Sequence, residues 1–527
     1  MSDYAEIPYE SLPIPDSHPE RLDALGYLFG LSPADPARCR VLELGCASGG
    51  NLIPLAFYFP GSRYLGIDLY ANQIAHGQTV VDAVGLPNLE LRQGDILDLR
   101  ADALGTFDYV IVHGVYSWVP DPVRERILGL CAEVLAPDGI AYVSYNTLPG
   151  WRMRGILRDI LGYAARRAPS AGEQLAALGG CLDRMERAVA GLDAASARYL
   201  AAEIGRLRER PASYLVHEFL EQENRPLLLS DFVVSAAAAG LSYVCDTDLQ
   251  TRYPEVVGAP VAEALADLRS PLEREQYLDF VVNRNFRRSL LCRGEARPRQ
   301  EPMVGRLEEM QVAANLAPPR KLDLRRARAA PFNRADGTTV DVHHPLTKAA
   351  LLHLGRRYPD SVPVPELIGL ATREVSAAGS NAAAAEVGDL VSELYSLVVL
   401  GAVELLRRRR AMGRPIPGTL VPTALARAQL GIEGRRLATR LHTVLAVDDF
   451  ATRLLGHLDG RRGVDDLVGH LLGDLTEGRL TLEGVAGRPA VDPRTRDLVR
   501  HNVERLLDGF VRAGVVEGVG EETGRAR

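Results

Sequence analysis

Lysine is almost missing from this chain of 527 residues. Only Lys321 and Lys348 occur, and Arg supplies the rest of the 61 basic residues. Together with heavy use of Ala, this reads as the composition of a GC-rich genome and excludes no function. An excess of positive charge is missing too: 68 acidic residues against 61 basic ones give a formal charge of −7. Phosphate neutralisation needs a basic surface, so nucleic acid is not an expected partner. Six cysteines (Cys39, Cys46, Cys131, Cys181, Cys245 and Cys292) are scattered with no C-x-x-C pair. That argues against a zinc site and a disulfide framework, so no metal is expected, and it fits a reducing, cytoplasmic setting. No apolar run reaches the ~20 residues that a membrane span requires. Met1–Glu6 is acidic and lacks an apolar core, so no secretory signal is expected.

What is present is a glycine-rich turn between a buried strand and a helix, in Val41-Leu42-Glu43-Leu44-Gly45-Cys46-Ala47-Ser48-Gly49-Gly50-Asn51. Glycines there let backbone N–H groups approach a ligand with no Cβ in the way. An acidic residue closes the next strand, in Leu65-Gly66-Ile67-Asp68, and another follows the third, in Gly94-Asp95-Ile96. Acidic residues at successive strand ends suit a nucleoside, because ligands of open α/β sheets bind outside the carboxyl ends of the strands.

The length suggests about three domains at ~150 residues each. Residues 1–20 are rich in Pro and Tyr and are expected to lie as an extended arm over the next domain. From Cys39 to Asn146 strands and helices alternate. Strands are expected at Arg40–Leu44, Arg63–Asp68, Leu89–Gln93, Tyr109–His113 and Ile140–Tyr145. A helix over Arg124–Leu135 should be closed by Pro137-Asp138-Gly139. This alternation predicts a parallel sheet with helices on both faces. Residues 152–238 read as a helical insert. Leu241–Asp246 and Arg287–Arg293 supply the last two strands, so the first domain spans 1–295, with the insert or regulatory segment at about 152–285. Residues 296–340 read as a linker. Helix-rich units follow at 341–412 and 413–520, before a tail at 521–527. Both units end alike, in Leu400-Gly401-Ala402-Val403-Glu404 and Ala513-Gly514-Val515-Val516-Glu517. That repeat looks like a weak duplication of a winged-helix-like unit. The run Arg407–Arg410 is expected to be a solvated face.

The charge pattern bears on the ligand. Glu43 precedes a G-x-x-x-G turn, where a carboxylate would repel a pyrophosphate. It suits instead the ammonium of an amino-acid tail, as in S-adenosylmethionine (SAM), which carries a sulfonium and no phosphate. Asp68 can accept both ribose hydroxyls, Asp95 the exocyclic adenine amine, and Ile96 can cover the ring. Read alone, Asp95 is better taken as an ordinary turn or N-cap aspartate, and it is the three acidic residues at successive strand ends that favour a nucleoside. The expected cofactor set is Glu43, Gly45, Cys46, Ala47, Gly49, Asn51, Asp68, Leu69, Asp95, Ile96 and His113. The fourth strand leads into His113-Gly114-Val115-Tyr116-Ser117-Trp118. His113 is either a general base near neutral pH or a packing residue. Tyr116 and Trp118 either wall a slot for an amine or pack as core. Trp151 follows the fifth strand, so both tryptophans are expected at the mouth of the site.

At these residues the chain resembles the class I SAM-dependent methyltransferases. It is most similar to the bacterial group with a methyltransferase regulatory domain, which includes the rickettsial outer-membrane-protein lysine methyltransferases. The likeness takes in Pro8-Tyr9, His18-Pro19, Val41–Asn51, Gly66–Asp68, His113–Pro120, Ser144–Trp151, Tyr214-Leu215-Val216-His217-Glu218 and Gln276–Arg293. It implies a Rossmann-like methyltransferase sheet with a helical insert, and winged-helix-like C-terminal domains. It implies SAM held by Glu43, Gly45, Gly49, Asp68 and Asp95, and methyl transfer beside His113, Tyr116 and Trp118. The Asp/Asn-Pro-Pro-Tyr/Phe tetrapeptide of amide and DNA amine methyltransferases is missing, which counts against those substrates. A protein substrate methylated on lysine is expected, with an oligomer allowed. A metabolite methyltransferase with an oligomerising tail, and a SAM-binding regulator without activity, are the alternatives.

Overall fold

The computed structural model describes residues 10–168, 170–379, 387–413, 418–482 and 492–519. Pro8-Tyr9, Ala385 and the 521–527 tail lie outside the described residues. The chain enters through α1 (Pro19–Leu28) and reaches β1 (Arg40–Leu44), α2 (Leu52–Tyr58) and β2 (Arg63–Asp68). Then come α3 (Ala71–Val84), β3 (Leu89–Gln93), α4 (Ala101–Leu104), β4 (Phe107–Val112), α5 (Asp121–Val134) and β5 (Leu135–Asn146). The expected Pro137-Asp138-Gly139 stop is instead a bulge in β5: Phe107 pairs with Leu135, but Tyr109 pairs with Ile140.

The insert is four helices, α6 (Leu148–Ala165), α7 (Ala171–Val189), α8 (Ala195–Arg208) and α9 (Ala212–Phe219). Their apolar faces meet in a core of their own, including Leu157, Leu161, Leu178, Leu182 and Ile204. The chain returns through α10 (Leu229–Ala238), β6 (Leu241–Asp246), α11 (Ala259–Ala264), α12 (Pro271–Val281) and β7 (Phe286–Arg293). The seven strands lie in the order β3-β2-β1-β4-β5-β7-β6, with β7 antiparallel to both neighbours. The order reverses between β1 and β4, so a crevice opens at their carboxyl ends. Alternate residues fill the two faces: Val41, Tyr109, Ile111 and Tyr142 on one, Leu42, Leu44, Val110 and Val112 on the other.

The segment expected as a linker is structured. It holds β8 (Gln311–Ala313), β9 (Leu316–Ala317), β10 (Ala330–Arg334) and β11 (Thr339–Val342). Next come α13 (Pro345–Arg357), β12 (Val362–Pro363), α14 (Val364–Ala377), α15 (Val387–Val399) and β13 (Glu404–Leu406). β8 pairs with both β12 and β13, so it belongs to the sheet of the following unit. Short strands dense in Pro and Arg carry too little periodicity to be seen in sequence. The second unit comprises β14 (Leu420–Pro422), α16 (Ala424–Ile432), β15 (Arg436–Ala438), β16 (Val444–Ala446), α17 (Asp449–His457), α18 (Val464–Thr476), α19 (Pro493–Ala513) and β17 (Val516–Gly518). Gly401 and Gly514 both end a helix with left-handed φ, +65° and +68°, as the repeat implied.

The arginine run is a solvated face only at Arg408 and Arg409. Arg407 donates to Asp23 Oδ1 at 2.9 Å and to the Pro33 carbonyl at 3.0 Å, and Arg410 is buried beside Glu404 at 2.7 Å. These cations seam the first unit to α1 and to itself. Among the described residues no helix is long and apolar enough to cross a membrane.

Candidate active site

The crevice at the switch point is a cavity of about 780 Å³, within the range of small-molecule sites. Its floor is the turn after β1. There Gly45, Ala47 and Gly49 all take left-handed φ, +75°, +49° and +76°. A Cβ on Gly45 would lie 2.3 Å from Val115 Cγ2. Ala47 is held in its rare conformation by its N–H, which donates to Asp68 Oδ2 at 2.8 Å. Asp68 Oδ1 accepts from the Tyr70 N–H at 2.9 Å. Burial raises the affinity of Asp68 for a proton, and these backbone donors oppose it.

Gly45, Ala47, Asp68, Leu69, Asp95, Ile96, His113 and Trp118 line the cavity, as the sequence suggested. Asp95 is exposed and also caps the turn after β3, accepting from the Leu97 N–H at 2.9 Å. Glu43, Cys46, Gly49 and Asn51 stand behind this surface. Cys46 is buried, and its thiol is held well above its ordinary pKa by desolvation. Glu43 is buried under the turn, where Oε1 accepts from Asn51 Nδ2 at 2.9 Å. Its Oε2 has no partner among the described residues. Burial, with a lesser push from Asp68, raises the Glu43 pKa to about 8.

On the fourth strand the structure favours the packing alternative for Tyr116. Tyr116 is not a wall of the slot. It is 2% exposed and packs edge-to-face with Phe232, 5.5 Å between ring centres, in the core under the sheet. Its apolar ring is worth more there than at a polar mouth. His113 does line the cavity, with Nδ1 2.8 Å from Tyr142 Oη. Burial, reinforced by Arg288, lowers its pKa to about 4. It is therefore neutral at pH 7 and a poor base there. Trp151 stands one layer back, buried edge-to-face against Trp118 at 5.9 Å.

Sequence reasoning missed the opposite wall. The helical insert brings Arg154, Glu203, Tyr214, His217 and Glu218 to the cavity, and β5 brings Asn146. Arg154 Nη2 donates to Tyr214 Oη at 3.1 Å, and its guanidinium lies 5.0 Å from the Trp151 ring centre. It stands 3.6 Å from Glu203 and 3.7 Å from Glu218. Burial lifts the Glu218 pKa to about 7 against the pull of Arg154 and Arg158. Asn146 Nδ2 donates to Asn224 Oδ1 at 3.0 Å. Those residues come from three separate helices and a strand end. The signals at hand were the Ser144–Trp151 and Tyr214–Glu218 stretches.

The basic side chains of the cavity, Arg154, Arg206 and Arg210, all sit on the insert. The sheet-edge wall holds Asp68 and Asp95 and no Lys or Arg. Asp68 and Asp95 are acceptors suited to ribose hydroxyls and an adenine amine; with the orphaned Glu43 oxygen below the turn to face a cationic tail, the edge fits SAM.

Comparison with known proteins agrees. Residues 41–139 match the methyltransferase domain family, residues 211–293 the predicted methyltransferase regulatory domain, and residues 421–515 the PKMT C-terminal winged helix domain. The uncharacterized protein RP789 of Rickettsia prowazekii is 30% identical over 516 residues, which cover 96% of this chain and 92% of that protein. The structure of PKMT2 from Rickettsia typhi in complex with AdoHcy superposes with a TM-score of 0.85 at 25% identity, covering 97% of this chain and all of that one. A sheet ordered for a cofactor at its switch point, an acidic edge suited to a nucleoside, and likeness along nearly the full length converge: the chain belongs to the class I SAM-dependent methyltransferases that carry a regulatory domain and a PKMT winged helix domain, and SAM is its methyl donor.

Proposed function

We propose that this enzyme methylates lysine side chains of proteins, with Gly45, Ala47, Asp68, Leu69, Asp95 and Ile96 holding the cofactor and the insert presenting the acceptor. The observation that carries this reading is the two-sided cavity. One wall is acidic and suited to a nucleoside. The other is polar and belongs to a separate helical layer, with Trp118 between them. The full-length resemblance to the rickettsial enzymes supports lysine as the acceptor. The catalytic unit then runs to about residue 295, and the remaining length serves docking.

Bound SAM supplies an electrophilic methyl group on a good leaving group. Asp68 anchors the ribose hydroxyls, while Asp95 and Ile96 take the adenine. Glu43 faces the ammonium end through the turn, and a nearby cation lowers its proton affinity. The protein's remaining task is to align and desolvate the acceptor, which can supply several kcal/mol, up to ~7–11 in model reactions. A lysine with reference pKa of about 10.4 must lose a proton first. With Tyr116 buried and His113 too acidic, Glu218 is the lining carboxylate whose pKa, about 7, suits a proton acceptor.

Incubating the enzyme with tritiated SAM and a cell lysate tests the reading. Label is expected on a protein band, and acid hydrolysis should return it as methyl-lysine. Label confined to the small-molecule fraction would reject a protein substrate.

A further inference from the structure

Three distant parts of the chain meet on Asn51. Its Nδ2 donates to Glu43 Oε1, and its Oδ1 accepts from the Ile14 N–H of the N-terminal arm at 3.0 Å. The same Oδ1 lies 2.6 Å from His442 Nε2, 391 residues away in the second winged-helix unit. The Ile14 N–H can only donate, which fixes the amide's orientation. His442 must therefore carry its proton on Nε2 and donate it to Asn51. Every group in this chain is buried: Glu43 and Asn51 are 3% exposed and His442 2%.

His442 occupies the turn joining β15 to β16. Its φ is +57°, a value that few non-glycine residues adopt. The turn is braced by the His442 N–H donating to the Thr439 carbonyl at 3.0 Å and by the Thr439 and Thr443 hydroxyls at 2.8 Å. The ring also packs edge-to-face on His18 at 5.1 Å. A left-handed, buried polar residue is costly unless the surroundings over-determine it, and such strain clusters at functional sites.

We propose that His442 is a positioning residue for the cofactor motif. Through Asn51 and Glu43, the second winged-helix unit holds the glycine turn in the geometry that binds SAM. This rests on the reading above that the turn holds the cofactor. Linkage makes the coupling reciprocal: what docks the unit tightens cofactor binding, and bound cofactor tightens the docking.

The same two units also touch through Tyr58, whose hydroxyl faces the Gly514 carbonyl at 2.9 Å and the Ala438 carbonyl at 3.3 Å without reaching Asn51. This contact supplies the control. In the full-length protein, calorimetry with S-adenosylhomocysteine should show binding weakened about tenfold by His442→Ala. KM for SAM should rise with it and kcat should move less. His442→Gln, which keeps an N–H donor, should restore most of the affinity, and Tyr58→Phe should bind like the wild type. Independently of any variant, S-adenosylhomocysteine should slow hydrogen exchange across residues 436–446 of the wild type. Unchanged affinity in His442→Ala, equal loss in Tyr58→Phe, no recovery in His442→Gln, or a hairpin indifferent to the ligand would each overturn the proposal. A wild type that binds neither S-adenosylhomocysteine nor SAM would instead bring down the cofactor reading, and this inference with it.

Discussion

The two walls of the cavity are built in opposite ways. The sheet edge is made of backbone: left-handed turns at Gly45, Ala47 and Gly49, and a carboxylate, Asp68, pinned by two N–H groups. The insert wall is made of long side chains, with Arg154 bracketed by Glu203, Glu218 and Tyr214 over an aromatic base. Backbone geometry is rigid and is shared by any chain that folds this way. Side-chain geometry is specific and adjustable. The proposed function puts a common cofactor on the first wall and a particular acceptor on the second, and the difference can be tested one wall at a time.

The largest effect should come from the insert. Replacing Glu218 with Gln removes the proposed proton acceptor and should lower kcat/KM about a hundredfold, while S-adenosylhomocysteine binds as before. The pH dependence carries the sign. A carboxylate accepts a proton only when ionised, so the wild-type rate should rise with pH and level off above about 7. That limb should vanish in the variant. On the other wall, Asp68→Ala removes the charged acceptor proposed for the ribose. Calorimetry should show a loss of about 1.5–3 kcal/mol in cofactor affinity, roughly 10- to 150-fold. A larger effect of Glu218→Gln on cofactor affinity than on rate would erase the distinction between the walls.

The contrast also explains what could be read in the sequence. The first three strands were legible to the residue: β1 and β2 are largely buried and apolar, and the edge strand β3 alternates buried Leu with exposed polar residues. Six of the eight expected residues that line the cavity lie on β1–β3 turns, where glycine and acidic residues follow each strand within one or two positions. Asn51 and Glu43 lie beneath the turn rather than on the cavity wall: residue type marks a motif, but not which layer of it lines the crevice. The same holds for Tyr116, whose spacing from His113 is fixed by a turn that the sequence does not encode. The insert wall stayed dark because its residues converge only after three helices pack. Strands β8 to β12 stayed dark because they are two to five residues long. The duplicated helix–Gly–strand ending was visible in both C-terminal units; that the first shares its core with the sheet, through Leu307, Val312 and Leu351, while the second keeps its own, through Leu454, Leu471 and Val499, was not.

Two smaller effects sharpen the comparison. Arg154→Ala should raise KM for the acceptor about five- to tenfold through lost packing and charge, with cofactor affinity within twofold. Arg154→Lys should not rescue it, because an ammonium neither stacks on Trp151 nor spans Glu203 and Glu218. The smallest effect is expected where the walls meet. His113 is buried, neutral and bonded to Tyr142, with a pKa near 4. Between pH 6 and 9 its protonation does not change, so His113→Ala should lower kcat modestly and leave the shape of the pH–rate profile untouched. Disappearance of the limb near pH 7 in that variant would make His113 the proton acceptor after all, and would move the chemistry from the insert wall to the end of β4.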